Sequence, residues 1–335
     1  MKPENKQNIT IIGDGGWGTA LAILLDNKGY EVTVWGAFPE YIENIKHTRI
    51  NSKFLPNVSL SESIIFTSDL TDALHSPHIV VLASPSQYMA SVLEKIKPLV
   101  NIDTTIFVNV SKGLDTNTHE TVGDTVKRIL GAVHYATLSG PCIAGEVAHN
   151  IPTAVTVAAL DPATALTIQN IFSTPTFRVY TSTDVKGVEL GGSLKNIIAI
   201  ACGISDGLEY GVNTKSALLT RGLAEIVTLG TALGAVRETF YGLSGVGDLV
   251  TTCMSPRSRN RWFGEEIGSG RNVEDVLKET EMVVEGVATA RAAADLAVTL
   301  GIEVPIISGV FAVVAHNKKP QELVPEIMRR PLRSE

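Results

Sequence analysis

A glycine-rich hexapeptide near the start, Gly13-Asp14-Gly15-Gly16-Trp17-Gly18, constrains this chain more than any other segment. It matches G-x-G-x-x-G, which by itself is a weak pattern. Here it follows an apolar run, Asn8–Gly13, and opens a helical stretch, Gly16–Gly29, that carries Ala20, Leu21, Ile23, Leu24 and Leu25. In that context each glycine has a task. Gly13 permits a tight turn, Gly15 lets the backbone approach a pyrophosphate, and Gly18 lets the helix pack close to the strand. The helix start at Gly16 and Trp17 offers free N–H groups and a positive dipole end to phosphates. Asp14 has no role that the pattern assigns.

The rest of the first half repeats the rhythm of short apolar runs and helical stretches. Strands are predicted at Glu31–Trp35, His78–Ala83, Thr105–Val110, Tyr135–Ser139, Thr153–Ala159 and Phe177–Thr181. Helices are predicted near Gln87–Lys97, Thr116–Leu130 and Pro162–Phe172. Near-continuous apolar strands separated by helices imply an α/β fold, a doubly wound, mostly parallel sheet of the Rossmann kind. Near Asp184 the texture changes. Ala, Leu and Gly at helical spacing dominate Ser193–Cys202, Thr214–Leu233, Val273–Lys278, Thr289–Leu300 and Val304–His316. The expected organisation is a dinucleotide-binding domain, residues 1–183, followed by an all-helical substrate-binding and catalytic domain, residues 184–335. The stretch from Gln321 onward, with Arg329, Arg330 and Arg333, reads as a solvated C-terminal helix and tail.

Charge narrows the ligands. Among 335 residues, 28 Lys and Arg stand against 35 Asp and Glu, a net charge of −7. Such a chain lacks the phosphate-neutralising charge of a general nucleic-acid binder. An anionic ligand must be held by a local basic cluster. Three widely spaced cysteines, Cys142, Cys202 and Cys253, argue against a disulfide framework or a zinc site, and no metal is expected. The polar start has no signal-peptide core. No uninterrupted apolar run reaches the roughly 18 residues of a membrane span. A cytoplasmic protein is expected, and a homodimer is the commonest assembly for one.

Chemistry-bearing residues cluster at predicted strand and helix ends. Ser111-Lys112-Gly113 follows one strand and Ser139-Gly140-Pro141 ends another; ligands of open parallel sheets bind at those carboxyl ends. Lys195 and Asn196 lead into the apolar face of Ile197, Ile198 and Ile200. A lysine there either snorkels or sits in a partly dry pocket, where desolvation and neighbouring cations would bring it into acid/base range. Asp248 and Thr252 lie in what reads as a glycine-flanked turn, Gly245–Thr252. Three arginines in five residues, Arg257, Arg259 and Arg261, alternate with Ser258 and Asn260 and suit a phosphorylated small molecule. Val283 and Glu285 place an acid after an apolar run, where it could accept from a ribose or amide. After the second strand, Trp35-Gly36-Ala37-Phe38 carries neither the acid that holds a ribose 2′-hydroxyl nor the arginine that accepts a 2′-phosphate, so NAD and NADP both stay open.

Taken in order, these segments resemble the NAD(P)-dependent sn-glycerol-3-phosphate dehydrogenase family, its bacterial biosynthetic branch in particular. The resemblance is colinear over nearly the whole chain: Gly13–Ala22, Ser111–Leu114, Leu138–Pro141, Glu189–Asn196, Leu243–Leu249, Ser258–Arg261 and Val283–Gly286. It implies hydride transfer between NAD(P)H and dihydroxyacetone phosphate, giving sn-glycerol 3-phosphate for glycerophospholipid synthesis. It implies Lys195 as proton donor, Lys112 touching cofactor and substrate, and Asp248 ordering Lys195 or the glycerol hydroxyls. Ser258, Arg259 and Asn260, with Asn196 and Thr252, would hold the substrate, which Gly140 and Pro141 border. Gly13, Gly15, Gly16, Trp17, Gly18, Ala144, Arg259, Val283 and Glu285 would line the cofactor. Two departures stand out. Cys142 replaces a small hydroxyl residue, and Gly36-Ala37 lacks a basic residue that many relatives carry. The rivals are a 3-hydroxy acid or ketopantoate-type dehydrogenase and a non-catalytic dinucleotide sensor.

Overall fold

The computed structural model describes residues 7–280 and 283–332; the first six residues of the polar start and Arg333 of the basic tail lie outside them. The chain divides into two units, Met1–Lys112 with Glu120–Glu189, and Gly113–His119 with Leu190–Glu335.

The first unit is built on ten strands: β1 (Asn8–Ile12), β2 (Glu31–Trp35), β3 (Ile50–Asn51), β4 (Leu55–Ser59), β5 (Ile65–Thr67), β6 (Ile79–Leu82), β7 (Ile106–Asn109), β8 (His134–Ser139), β9 (Thr153–Ala158) and β10 (Phe177–Ser182). Eight form one sheet in the order β10-β9-β8-β7-β6-β1-β2-β5, while β3 and β4 make a separate antiparallel pair. All pairings in the large sheet are parallel except β8 with β9. The central strands read as unbroken apolar runs because helices cover both faces. Ile11, Val34, Val81 and Val108 are fully buried on one side, and Ile12, Val80, Leu82 and Phe107 on the other. Each such side chain contributes roughly 1.5–3 kcal/mol. The chain leaves β1 for β2 on one side and later returns to β6 on the other. This places the topological switch, and the expected ligand site, at the carboxyl ends of β1 and β6.

Several short elements escaped the pattern. β3 and β5 carry two and three residues, too few for a legible alternation, and β4 has Pro56 and Asn57 inside its five. The stretch Thr116–Leu130, expected to be one helix, is helical only over Val122–Leu130. Thr121 ends it there, through a capping box with Asp124 that satisfies the first free N–H groups.

The second unit has no strand among the described residues. Its core is one cluster around Leu194, Ile197, Ile198, Ile226, Phe240, Phe263, Ala293 and Ile307. The predicted helix Ser193–Cys202 is the middle of a longer one, Val185–Gly207. Although it lacks an uninterrupted apolar run, this 23-residue helix is long and apolar enough to cross a membrane. Its most apolar window is 94% buried inside the protein, as a core helix would be. It crosses the helix Arg259–Gly268 through glycines on both sides. A Cβ on Gly203 would overlap the carbonyl of Arg261, and one on Gly264 would overlap that of Ile200. The expected C-terminal helix is Pro320–Met328.

A buried acid ties two further helices together. Glu225, on Val212–Ala232, accepts from the backbone N–H groups of Ile306 (2.8 Å) and Ile307 (3.0 Å), which open Pro305–His316. Burial raises its pKa to about 7 against these N–H groups and the more distant Arg330 and Arg221. Between about pH 4.5 and 7 the folded protein therefore holds a proton that the unfolded chain has released. Stability from this group is full below pH 4.5 and is lost as pH rises through 7, by at most about 3 kcal/mol. Glu225→Gln should flatten that segment of the melting-temperature profile while giving up one hydrogen bond. An unchanged slope would remove Glu225 as its source.

Candidate active site

In the first unit the glycine loop leaves β1 at Gly13, whose φ of +128° suits glycine alone. A Cβ there would come within 2.7 Å of Ala83 at the end of β6. Gly18 lies against the carbonyl of Gly13, and Gly16 against that of Phe54, with Ala144 close by. Gly15 is the exception, for a Cβ on it would meet nothing within 4 Å. The loop is thus packed tightly beneath and open above, as a cradle for a pyrophosphate requires. Helix geometry leaves the first N–H groups of Gly16–Asn27 without intrahelical acceptors. Two buried polar atoms at the loop, Trp17 Nε1 and Asp14 Oδ2, have no hydrogen-bond partner among the described residues. Open space, free donors and unpartnered atoms together fit a dinucleotide.

Lys112 follows β7, and Gly140 follows β8. Because these neighbouring strands are parallel, their carboxyl ends lie side by side. Lys112 Nζ reaches the carbonyl of Gly140 at 3.2 Å and Cys142 Sγ at 3.3 Å. Two segments far apart in sequence thus meet at the carboxyl ends of β7 and β8, with the thiol of Cys142 on the lysine. Beside them lies a buried cluster that the sequence did not single out. Glu189 accepts from Asn109 Nδ2 (3.2 Å), the N–H of Gly123 (3.0 Å) and the hydroxyl of Tyr135. Burial pushes the Glu189 carboxyl up, while the Tyr135 hydrogen bond opposes it; burial and the Glu189 charge push Tyr135 up as well. Asn109 also fixes the turn into Lys112 by accepting from Ser111 N at 2.9 Å.

In the second unit Lys195 is 5% exposed and Asp248 is 1% exposed. Lys195 Nζ donates to Asp248 Oδ1 at 2.7 Å and to the Thr252 hydroxyl, which in turn donates to the Asp248 carbonyl at 2.7 Å. The lysine therefore sits in a dry pocket on the carboxylate of Asp248, the residue that the resemblance gives for ordering it, where the residues alone suggested neighbouring cations. The glycine-flanked turn is also corrected. Asp248 opens a helix, Asp248–Met254, that puts Thr252 one turn on and on the same face. The glycines before it serve close packing instead. A Cβ on Gly245 would overlap the Phe240 carbonyl, and one on Gly191 would lie 2.5 Å from that of Ser244.

The basic patch resolves into separate tasks. Ser258 caps the helix Arg259–Gly268 by accepting from Arg261 N at 3.2 Å. Arg261 points inward, its Nε on Asp206 Oδ2 at 2.7 Å, and Lys215 shares that carboxylate. Asp206 was missed in the sequence, where nothing marks it as the anchor of this patch. Arg257 and Arg259 remain exposed, and Arg259 Nη1 donates to the Val283 carbonyl at 3.0 Å. Asn260 is buried, with Oδ1 accepting from Gly286 N at 2.9 Å, and Asn196 Nδ2 donates to Glu285 Oε2 at 3.2 Å. The segments around residues 195, 248, 260 and 285 are thus knit into one polar group.

A Rossmann sheet with a fitted dinucleotide cradle, followed by a helical unit holding a buried lysine on a carboxylate, defines an NAD(P)-dependent dehydrogenase. Family models place it further. That for the NAD-dependent glycerol-3-phosphate dehydrogenase N-terminus matches residues 8–165, and that for the C-terminus residues 184–325. A glycerol-3-phosphate dehydrogenase [NAD(P)+] of Syntrophomonas wolfei is 48% identical over 325 residues, 96% of this chain and 94% of its own. The 2.1 Å crystal structure of the glycerol-3-phosphate dehydrogenase from Coxiella burnetii superposes with a TM-score of 0.94 at 36% identity, covering 97% of this chain and 99% of that one. The chain belongs to the NAD-dependent glycerol-3-phosphate dehydrogenase family. A ketopantoate reductase from Ralstonia eutropha, with a TM-score of 0.62 at 15% identity over 96% of this chain and 100% of its own, shares the fold alone.

Proposed function

We propose that this enzyme reduces dihydroxyacetone phosphate to sn-glycerol 3-phosphate with NADH or NADPH, in the cytoplasm and as a homodimer, supplying the backbone of glycerophospholipids. Residues 1–183 serve mainly the dinucleotide, and residues 184–335 mainly the substrate and the chemistry. The buried Lys195–Asp248–Thr252 group carries this reading, because a solvent-shielded ammonium with fixed orientation is what a developing alkoxide needs. When bound, the nicotinamide supplies a hydride to the carbonyl carbon.

Lys195 stabilises the negative charge gathering on the carbonyl oxygen and delivers its proton there. Asp248 and Thr252 hold the lysine in place through that transfer. Lys112, bordered by Gly140, Pro141 and Cys142, adds a second positive charge to the bound anion. Ser258, Arg259 and Asn260, with Asn196, hold the substrate; its phosphate supplies binding energy remote from the reacting carbon and fixes its orientation. The Ser258 hydroxyl oxygen is used as a helix cap, so its O–H is the part left to donate. The glycine loop, with Trp17 and Ala144, takes the cofactor phosphates, and Arg259, Val283 and Glu285 serve its nicotinamide end.

Arg259→Ala should raise KM for dihydroxyacetone phosphate by about 10- to 100-fold with a smaller change in kcat, the size of one lost charge-assisted hydrogen bond. An unchanged KM would move the phosphate elsewhere. The overall reading is tested by following nicotinamide absorbance with NADH and NADPH, with and without dihydroxyacetone phosphate. Turnover that needs the phosphate ester and is inhibited by inorganic phosphate supports it. Equal turnover of unphosphorylated 2-keto acids would overturn it.

A further inference from the structure

The end of β2 is where a Rossmann fold ordinarily places the acid that receives the adenosine ribose. Here that position is Gly36, which has no side chain to offer. The space is not vacant, however. A Cβ built on Gly36 would lie 2.8 Å from both the carboxyl carbon and Oδ2 of Asp14, the second residue of the glycine loop. The carboxylate missing from β2 is thus delivered to the same place from the loop, and only glycine at position 36 leaves room for it.

Asp14 is held there firmly. Its carbonyl accepts from Asn51 Nδ2 at 2.7 Å and from Thr19 Oγ1 at 3.3 Å, and Asn51 also donates to Thr19 Oγ1 at 2.8 Å. Oδ2 is buried without a hydrogen-bond partner among the described residues, while the residue as a whole is half-buried. Burial pushes this carboxyl up, against the hydrogen bond from its own N–H and the charge of Lys53. A dehydrated acceptor with spare lone pairs favours a ligand that brings hydroxyl donors and disfavours one that brings another anion.

We infer that Asp14 reads the adenosine ribose, accepting from its vicinal hydroxyls in place of an acid on β2, and that this makes the enzyme select NAD(H) over NADP(H). The inference rests on the dinucleotide reading of the loop and adds a preference to it. A 2′-phosphate would sit against the carboxylate, with Lys53 as the cation near enough to offset it.

The test is equilibrium binding to the full-length protein, using ADP-ribose and 2′-phospho-ADP-ribose, which lack the nicotinamide. Titration calorimetry should give at least tenfold tighter binding of ADP-ribose. In Asp14→Asn, which keeps the shape and removes the charge, ADP-ribose should weaken and the phosphorylated ligand tighten, bringing the ratio within about threefold. Asp14→Ser, smaller than the native residue, should move the ratio the same way if the Asn variant folds poorly. A wild-type preference for the 2′-phosphate, or a ratio unmoved in both variants, including equal loss of both ligands, overturns the role of Asp14. Failure of the wild-type protein to bind either ligand would instead defeat the dinucleotide reading of the loop.

Discussion

Lys195→Met should lower kcat by about a hundred- to ten-thousandfold while leaving cofactor binding intact, the range expected when a general acid is removed. The substitution keeps the volume and apolar stem of the lysine and deletes only the ammonium. It also takes the ammonium away from the buried carboxylate of Asp248, 1% exposed, and breaking such a pair typically costs about 3–5 kcal/mol of stability. Loss of activity through unfolding must therefore be separated from loss of chemistry. The double variant Lys195→Met/Asp248→Asn does so. It removes the buried carboxylate charge as well, and its melting temperature should recover towards that of the wild type while kcat stays low. A single variant with near-normal turnover would transfer the acid role to another group. A double variant that regains turnover would show the lysine to be structural.

Gly203→Ala should be the most damaging single methyl group in the helical unit. The added Cβ would overlap the Arg261 carbonyl and lie 2.8 Å from the Glu265 amide, and backbone cannot rotate away as a side chain can. Overpacking of this kind destabilises by about 3 kcal/mol or more. That corresponds to a fall of roughly 6–12 °C in melting temperature, or to loss of soluble protein. The damage should extend beyond stability, because Arg261 leads directly from Ser258, Arg259 and Asn260. Gly211→Ala is the control, since a Cβ there would meet nothing within 4 Å and its backbone is extended. It should stay within about 0.5 kcal/mol of wild type. Equal stability of the two variants would refute the close crossing.

The sequence revealed what local pattern encodes. Gly13–Gly18 could be read because the loop, the strand before it and the helix after it are contiguous, and Lys195 stood out because its helix turns apolar immediately after it. What stayed hidden depends on contacts between distant segments. Asp248 looked like part of a turn because Gly245 and Gly247 surround it, and the reason for Gly245 is the Phe240 backbone that it touches. The three arginines looked equivalent until Asp206 was seen to hold Arg261 inward. Asp14 could not be interpreted without Gly36, nor Glu189 without Tyr135 and Gly123. β3 and β5, of two and three residues, lack the length for a periodic signature and exist because neighbouring strands supply their hydrogen bonds.

With Lys195 as the proton donor proposed above, its pairing with Asp248 bears on the whole catalytic cycle. Before reaction the two side chains together carry no net charge. Once the lysine has given up its proton, the same two groups form an anion shielded from solvent. The protein's own contribution to the site is then one charge more negative than the one the substrate met on entry, at the moment a phosphate ester has to leave. The enzyme is not ready for another substrate until a proton has travelled back to a lysine that is only 5% exposed. On the proposed role, recharging of Lys195 is a step of turnover in its own right, and solvent viscosity and deuterium substitution should act on it separately from hydride transfer.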